Sequence, residues 1–199
     1  MKKIILLSSL FISHFIWCQK SEVAEGLSHP TFSLSIISNN YFGENYLAKG
    51  HKSNGFGFQF KHELFHYKNF NLGFGIEKST QKVTDTSIGG NIYSTNSNSV
   101  FGLVSYKIPI ITTFAVSPEI NYGRIELRQK NGSKLYGVQN GTRFGLGLNL
   151  DYMIKKNVSI SSLVSYNKFN FNTETSPEFI NYFNNSKAIS ISLGLKFNI

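Results

Sequence analysis

The stretch Ala188-Ile189-Ser190-Ile191-Ser192-Leu193-Gly194-Leu195-Lys196-Phe197-Asn198-Ile199 decides the fold. Its large apolar side chains, Ile189, Ile191, Leu193, Leu195, Phe197 and Ile199, take every second position. Between them sit Ala188, Ser190, Ser192, Gly194, Lys196 and Asn198. A period of two sends successive side chains to opposite faces of an extended strand, so one face is greasy and the other small and polar.

The same alternation recurs upstream. Phe56, Phe58, Phe60 and Leu64 alternate with Gly55, Gly57, Gln59, Lys61 and Glu63. Phe70, Leu72, Phe74 and Ile76 alternate with Asn71, Gly73, Gly75 and Glu77. Phe114, Val116, Ile120 and Tyr122 alternate with Ala115, Ser117, Glu119 and Asn121, and Phe144 to Tyr152 repeats the pattern around Arg143, Gly145, Gly147, Asn149 and Asp151. Weaker segments lie near 31–40, 98–110 and 158–169. The spacing predicts eight strands of about ten to twelve residues, the length a tilted strand needs to cross a bilayer. Gaps near 65–69, 111–113 and 155–157 are short, whereas those near 41–54, 78–97, 127–141 and 170–187 are long and rich in Asn, Ser, Gly and Lys. Alternating short turns and long loops is the outer-membrane arrangement, and an even strand count puts both termini in the periplasm.

Composition agrees. There are 18 Phe and 10 Tyr against one Trp, 17 Gly and 4 Pro, and only 16% of residues are charged. Such chains favour strands over helices. A water-soluble barrel also alternates, but it turns its apolar face inward and a richly charged face outward. Here the non-apolar face is mostly Gly, Ser and Asn, which suits a tight lumen. The expected fold is therefore all-β, an eight-stranded antiparallel up-and-down transmembrane barrel.

Met1 to about Cys18 reads as a secretory signal, with Lys2-Lys3 ahead of an apolar stretch from Ile4 to Trp17. We expect residues 1–18 to be cleaved, residues 19–29 to be a short periplasmic segment, and 30–199 to be the barrel. Trp17 is too large to precede a lipidated Cys18. The only other charge signal is a net +9, spread over single Lys and Arg residues rather than a nucleic-acid-binding cluster.

Several segments resemble the outer-membrane β-barrel families of Bacteroidetes, the group that includes PorT-like and OmpA-like barrel domains. They are Tyr106-Lys107-Ile108-Pro109-Ile110, Ser117-Pro118-Glu119-Ile120-Asn121-Tyr122-Gly123, Phe144-Gly145-Leu146-Gly147-Leu148 and Leu193-Gly194-Leu195-Lys196-Phe197. The resemblance covers about 30–199 and implies a barrel and a place in the outer membrane. It implies no reaction.

The inward phase carries Lys61, Glu63, Lys107, Glu119, Asp151 and Lys196, with Arg143 and Glu77 nearer the long loops. Eight strands leave interior room only for side chains, so these charges must pair. Four acids against four bases predict a salt-bridged plug. Arg124, Arg128, Lys130, Lys134 and Arg143, on or beside the third long loop, could meet lipopolysaccharide phosphates. Tyr41, Phe42, Tyr46, Tyr67, Tyr93, Tyr136, Phe171, Phe179, Tyr182 and Phe183 fall near strand ends, as interfacial aromatic girdles do. His51 beside a loop Ser is the one conceivable nucleophile pair, and no spacing resembles a metal site. The expectation is a monomeric, non-enzymatic barrel without cofactor, structural or interactive in role: envelope integrity, adhesion or service to a secretion machine. Its expected contacts are outer-membrane lipid, lipopolysaccharide and a secretion or surface partner. The rivals are a narrow channel or small-solute transporter, and a barrel enzyme acting on outer-membrane lipid.

Overall fold

The computed structural model describes residues 30–52, 54–89 and 92–199. The expected leader, Cys18 and the 19–29 segment lie outside them. The strands are β1 (Thr31–Phe42), β2 (Asn54–Tyr67), β3 (Phe70–Lys82), β4 (Ser94–Tyr106), β5 (Ile108–Ile111), β6 (Phe114–Asn131), β7 (Lys134–Lys155), β8 (Val158–Phe171) and β9 (Asn185–Asn198). Every neighbouring pair is antiparallel, β9 closes on β1, and β4 and β5 both pair with β6. β4 and β5 are two halves of one stave, interrupted at Lys107. Nine segments thus make eight staves, and the ring of pairings closes through the apolar belt.

Alternation dictates which face each residue takes. Leu34, Ile36, Phe56, Phe58, Leu72, Ile76, Ile120, Tyr122, Leu146, Leu148, Ile191 and Leu193 all point out and are exposed, Phe58 to 74% and Leu193 to 60%. Ser33, Asn39, Gln59, Ser79, Ser97, Asn121, Ser165, Ser190 and Ser192 point in and are buried. A belt of greasy side chains facing outward around a polar interior is stable only in a hydrocarbon solvent.

Two turns are built from special backbone. β2 and β3 meet at Lys68-Asn69, where Lys68 has φ 54°, a left-handed conformation that costs a side chain. β6 and β7 meet at Gly132-Ser133, with Gly132 at φ 59°.

That second turn corrects the sequence reading. Residues 127–141 are not a long loop: β6 runs to Asn131 and β7 starts at Lys134. Likewise β3 reaches Lys82 and β4 begins at Ser94, so the second loop shrinks. A strand standing in water has no apolar face to show, so its polar sequence imitates a loop. Among the described residues, what remains at the loop end are three short α-helices, α1 (Tyr46–Gly50), α2 (Thr86–Gly89) and α3 (Ile180–Asn184), and a 3-10 turn at Pro177–Phe179. Asn45 caps α1 through Ala48 N at 3.0 Å, accepts from Ser186 Oγ at 3.2 Å, and donates to Phe42 O at 2.7 Å. These bonds fold the first loop over the barrel mouth.

Candidate functional site: the lumen, its cork and the outer rim

The lumen is filled in three layers. At the turn end, Lys196 Nζ lies 2.9 Å from Glu63 and 3.3 Å from Asp151, and Thr31 Oγ1 donates to Glu63 at 2.6 Å. Lys61 Nζ meets Glu119 at 2.6 Å. Of the charge network expected from sequence, the structure joins Lys196 to Glu63 and Asp151 and, separately, Lys61 to Glu119.

Lys107 does not join it. The chain leaves strand geometry there, its N donating to Asn69 O at 2.7 Å, and Pro109 removes a ladder donor just beyond. The inward phase of β4 ends at Ser105, and Lys107 is exposed. It lines, with Asp151, Lys196, Ser159, Thr113 and Met153, a cavity of about 330 Å³ at the turn end. The buried lumen thus holds three cations (Lys61, Arg143, Lys196) against four acids (Glu63, Glu77, Glu119, Asp151) rather than a balanced four and four.

The middle layer centres on Arg143, 1% exposed, which corrects its expected place at the lipopolysaccharide rim. It falls on the inward phase of β7, so it points away from lipid. Nη1 donates to Glu77 at 2.7 Å, Nε to Asn121 Oδ1 at 3.1 Å and Nη2 to Asn167 Oδ1 at 3.1 Å. The guanidinium carbon stands 4.2 Å from the Phe101 ring centroid. Glu77 also accepts from Asn39 at 2.8 Å and Gln59 at 3.1 Å, and Asn167 donates to Ser190 at 2.8 Å. Asn39, Gln59, Glu77, Phe101, Asn121, Arg143, Asn167 and Ser190 come one from each stave. A single connected layer therefore ties all eight together across the lumen. Gly75 makes room for it: a Cβ there would collide with the Phe101 ring.

The top layer is apolar. Tyr41, Ile125, Leu127, Phe169, Phe171 and Ala188 point inward, and Tyr46 and Leu47 of α1 pack onto them, with Tyr182 and Phe183 of α3 alongside. Leu127 is 0% exposed. The sequence reading misses this cork, although a signal exists: at the loop end the apolar residues of β6 and β8 change parity, from Ile120 and Val164 outward to Ile125 and Phe169 inward. Tyr41, Tyr46 and Phe171, expected in an aromatic girdle, belong to the cork, while Phe42, Tyr67, Tyr93, Tyr136 and Phe179 are exposed. Burial pushes the Tyr46 hydroxyl up to about 12. His51 sits under α1, Nε2 at 2.7 Å from Thr95 Oγ1 and its ring edge-on to Tyr46 at 5.1 Å, and burial holds its pKa below the ordinary 6.5. Its side-chain bond goes to Thr95 and not to the loop Ser considered from sequence.

On the rim, Arg124 is exposed on the outward face of β6, two residues beyond Tyr122. Arg128 Nε binds Glu126 at 2.6 Å, and Lys134 Nζ lies 5.1 Å from the Tyr136 ring centroid. Lys130 is half-buried where β6 meets β4 at Ser94. Beyond Gly141, the last β7 residue paired to β8, the strand edge from Leu135 to Gln139 has no ladder partner on that side among the described residues. β3, β4, β6 and β7 thus rise past the apolar belt as a wall that ends on a free edge. No group of three His, Cys, Asp or Glu able to hold a metal occurs among the described residues.

No protein-family profile matches the sequence, and no curated protein matches it. Solved structures do. Neisserial surface protein A is similar over 88% of this chain and 100% of its own, at TM-score 0.65 and 12% identity. The outer membrane protein OprG of Pseudomonas aeruginosa covers 88% and 98%, at TM-score 0.54 and 11% identity. Ail, the attachment invasion locus protein of Yersinia pestis, covers 88% and 100%, at TM-score 0.52 and 12% identity. At such identities the likeness concerns the fold, and that fold is the eight-stranded outer-membrane barrel.

Proposed function

We propose that this chain is a bacterial outer-membrane barrel with a closed lumen, exported behind residues 1–18, whose role is interaction at the cell surface. The observation that carries this reading is the β3-β4-β6-β7 wall with its free β7 edge. Unpaired backbone donors and acceptors on an exposed edge are a template for a partner strand. Leu135, Tyr136 and Val138, all exposed, offer side-chain contacts beside it. The wall rises at the loop end, so that end faces outward and the termini and short turns face the periplasm. Adhesion is the form of interaction such a surface favours, and the attachment protein among the similar structures agrees with it by name.

A closed lumen fits the full-stave layer around Arg143 and the cork above it, so the protein binds rather than conducts. Arg124, set just above the apolar belt, contacts lipopolysaccharide phosphate, with Arg128, Lys130 and Lys134 higher on the wall. The sequence segments that resemble Bacteroidetes barrels support an origin in that group.

Cells bearing the protein should adhere or aggregate more than cells bearing a variant lacking 132–137, with equal amounts in the outer membrane. Equal adhesion would remove the wall as the interaction surface. Protease on whole cells should cut at Lys134 and spare Lys155-Lys156; the reverse pattern would invert the barrel. Planar-bilayer recording should show no steady current.

A further inference from the structure

Lys168 of β8 and Lys187 of β9 are direct cross-strand partners on the outward face, and both are exposed. Directly opposed side chains stand about 4.5–5.5 Å apart at Cβ, and like charges in that position destabilise the pair. Neither lysine takes part in an ion pair among the described residues. The row continues to Phe144 of β7, opposite Lys168, and to Phe42 of β1, opposite Lys187. Phe42 in turn contacts the Tyr166 ring at 6.3 Å.

The level of this row is as informative as its charge. One step toward the turn end lie Tyr166 and Ile189, then Val164 and Ile191, then Ser162 and Leu193. One step toward the loop end lie Asn170 and Asn185. The lysines therefore mark the boundary between the apolar belt and water. Snorkelling accounts for one lysine at such a level. It does not account for two set face to face, whose repulsion an anion between them would remove.

We propose that Lys168 and Lys187 hold the phosphate of an outer-leaflet lipid between their ammonium groups. Phe144 and Phe42 flank its headgroup, and an acyl chain lies along Val164, Ile191 and Leu193. A phosphomonoester carries about −1.5 to −2 charge and three acceptor oxygens, which suits two ammonium donors better than a lone carboxylate does. The apolar column directly beneath selects an amphiphile over a soluble anion. The site rests on the outer-membrane placement proposed above and is separate from the arginines of β6.

The test uses the full chain folded in alkyl maltoside micelles, which hold no phosphate, with thermal unfolding followed by circular dichroism. Diphosphoryl lipid A should raise the midpoint of the wild type and of a Lys155→Gln control. The rise should fall in Lys168→Gln and be at least halved in Lys168→Gln/Lys187→Gln, the remainder being what the arginines of β6 carry. Without lipid A the sign should reverse, Lys168→Gln unfolding later than wild type because the repulsion is gone. An undiminished response in the double variant overturns the site. A midpoint rise from inorganic phosphate equal to that from lipid A overturns the lipid assignment in favour of a soluble anion. Failure to fold into phospholipid vesicles would sink the membrane placement itself, whereas a barrel that folds there and ignores lipid A loses only this site.

Discussion

Replacing Arg143 by Met and Glu77 by Gln, singly and together, probes the layer that joins the eight staves. Removing one partner of a buried ion pair costs about 3–5 kcal/mol because the other charge is stranded. Both ends of this pair retain other contacts. Glu77 would still accept from Asn39 and Gln59, and Arg143 would still donate to Asn121 and Asn167 and lie over Phe101. Each single change should therefore sit near the lower bound, about 3 kcal/mol. The double variant buries no stranded charge, so its cost should fall short of the sum by about 2 kcal/mol, within the range of coupling between residues in contact. The packing over Phe101 that Arg143→Met loses is common to both backgrounds and cancels in the cycle. Urea unfolding of the barrel in lipid vesicles measures it, read by circular dichroism and gel mobility, since the only Trp is Trp17. Additivity within about 0.5 kcal/mol would refute the pairing. Single costs below about 1 kcal/mol would mean that water screens it, as at an exposed bridge.

Three further outcomes follow from the geometry. Leu193→Arg should cost roughly 2–4 kcal/mol in vesicles and Ile199→Arg only about 0–1, because Leu193 faces the middle of the belt and Ile199 its edge; equal costs would contradict a bilayer around the barrel. Lys68→Gly should stabilise by up to about 1 kcal/mol, since the left-handed turn position strains any side chain, and a loss in urea midpoint would place the strain elsewhere. His51 is held neutral by burial, so the unfolded chain binds the extra proton below 6.5. Stability should then be full above that pH and decline as pH falls toward the lowered folded pKa. His51→Gln should flatten that decline, and an unchanged slope would show that His51 does not carry it.

The fold is legible because a barrel in lipid has one rule at each position, apolar out and small or polar in. That rule holds within the belt, from Phe56 to Phe60, from Phe70 to Ile76, from Phe144 to Leu150 and from Ile189 to Leu195. It fails where its cause is missing. Above the belt, both faces of a strand meet water or protein, so Arg128 to Gln139 read as loop while forming a hairpin. Lys107 has the right parity but sits where Pro109 breaks the stave, and parity carries no meaning across a break. Arg143 suits both the lumen and the rim by sequence, and only its inward phase holds. The pairings Lys61–Glu119 and Lys196–Glu63 join residues far apart in sequence, so composition can demand partners for these charges without naming them.

The three layers inside the barrel act on one another. The cork of Tyr41, Leu47, Leu127 and Phe169 keeps water from the loop end, and in such a low-dielectric setting the Arg143–Glu77 attraction strengthens. Lys196 and Asp151 instead border the open cavity at the turn end, where water weakens theirs. The most deeply buried cross-lumen ion pair therefore lies just under the wall formed by β3, β4, β6 and β7. Glu77, Phe101, Asn121 and Arg143 are the residues those four strands contribute. A strand edge binds another strand well only if its own position is fixed beforehand, because ordering it on binding would consume the gain. The buried layer thus gives the free β7 edge a rigid footing, and the same side chains that close the lumen make the surface above it fit to bind.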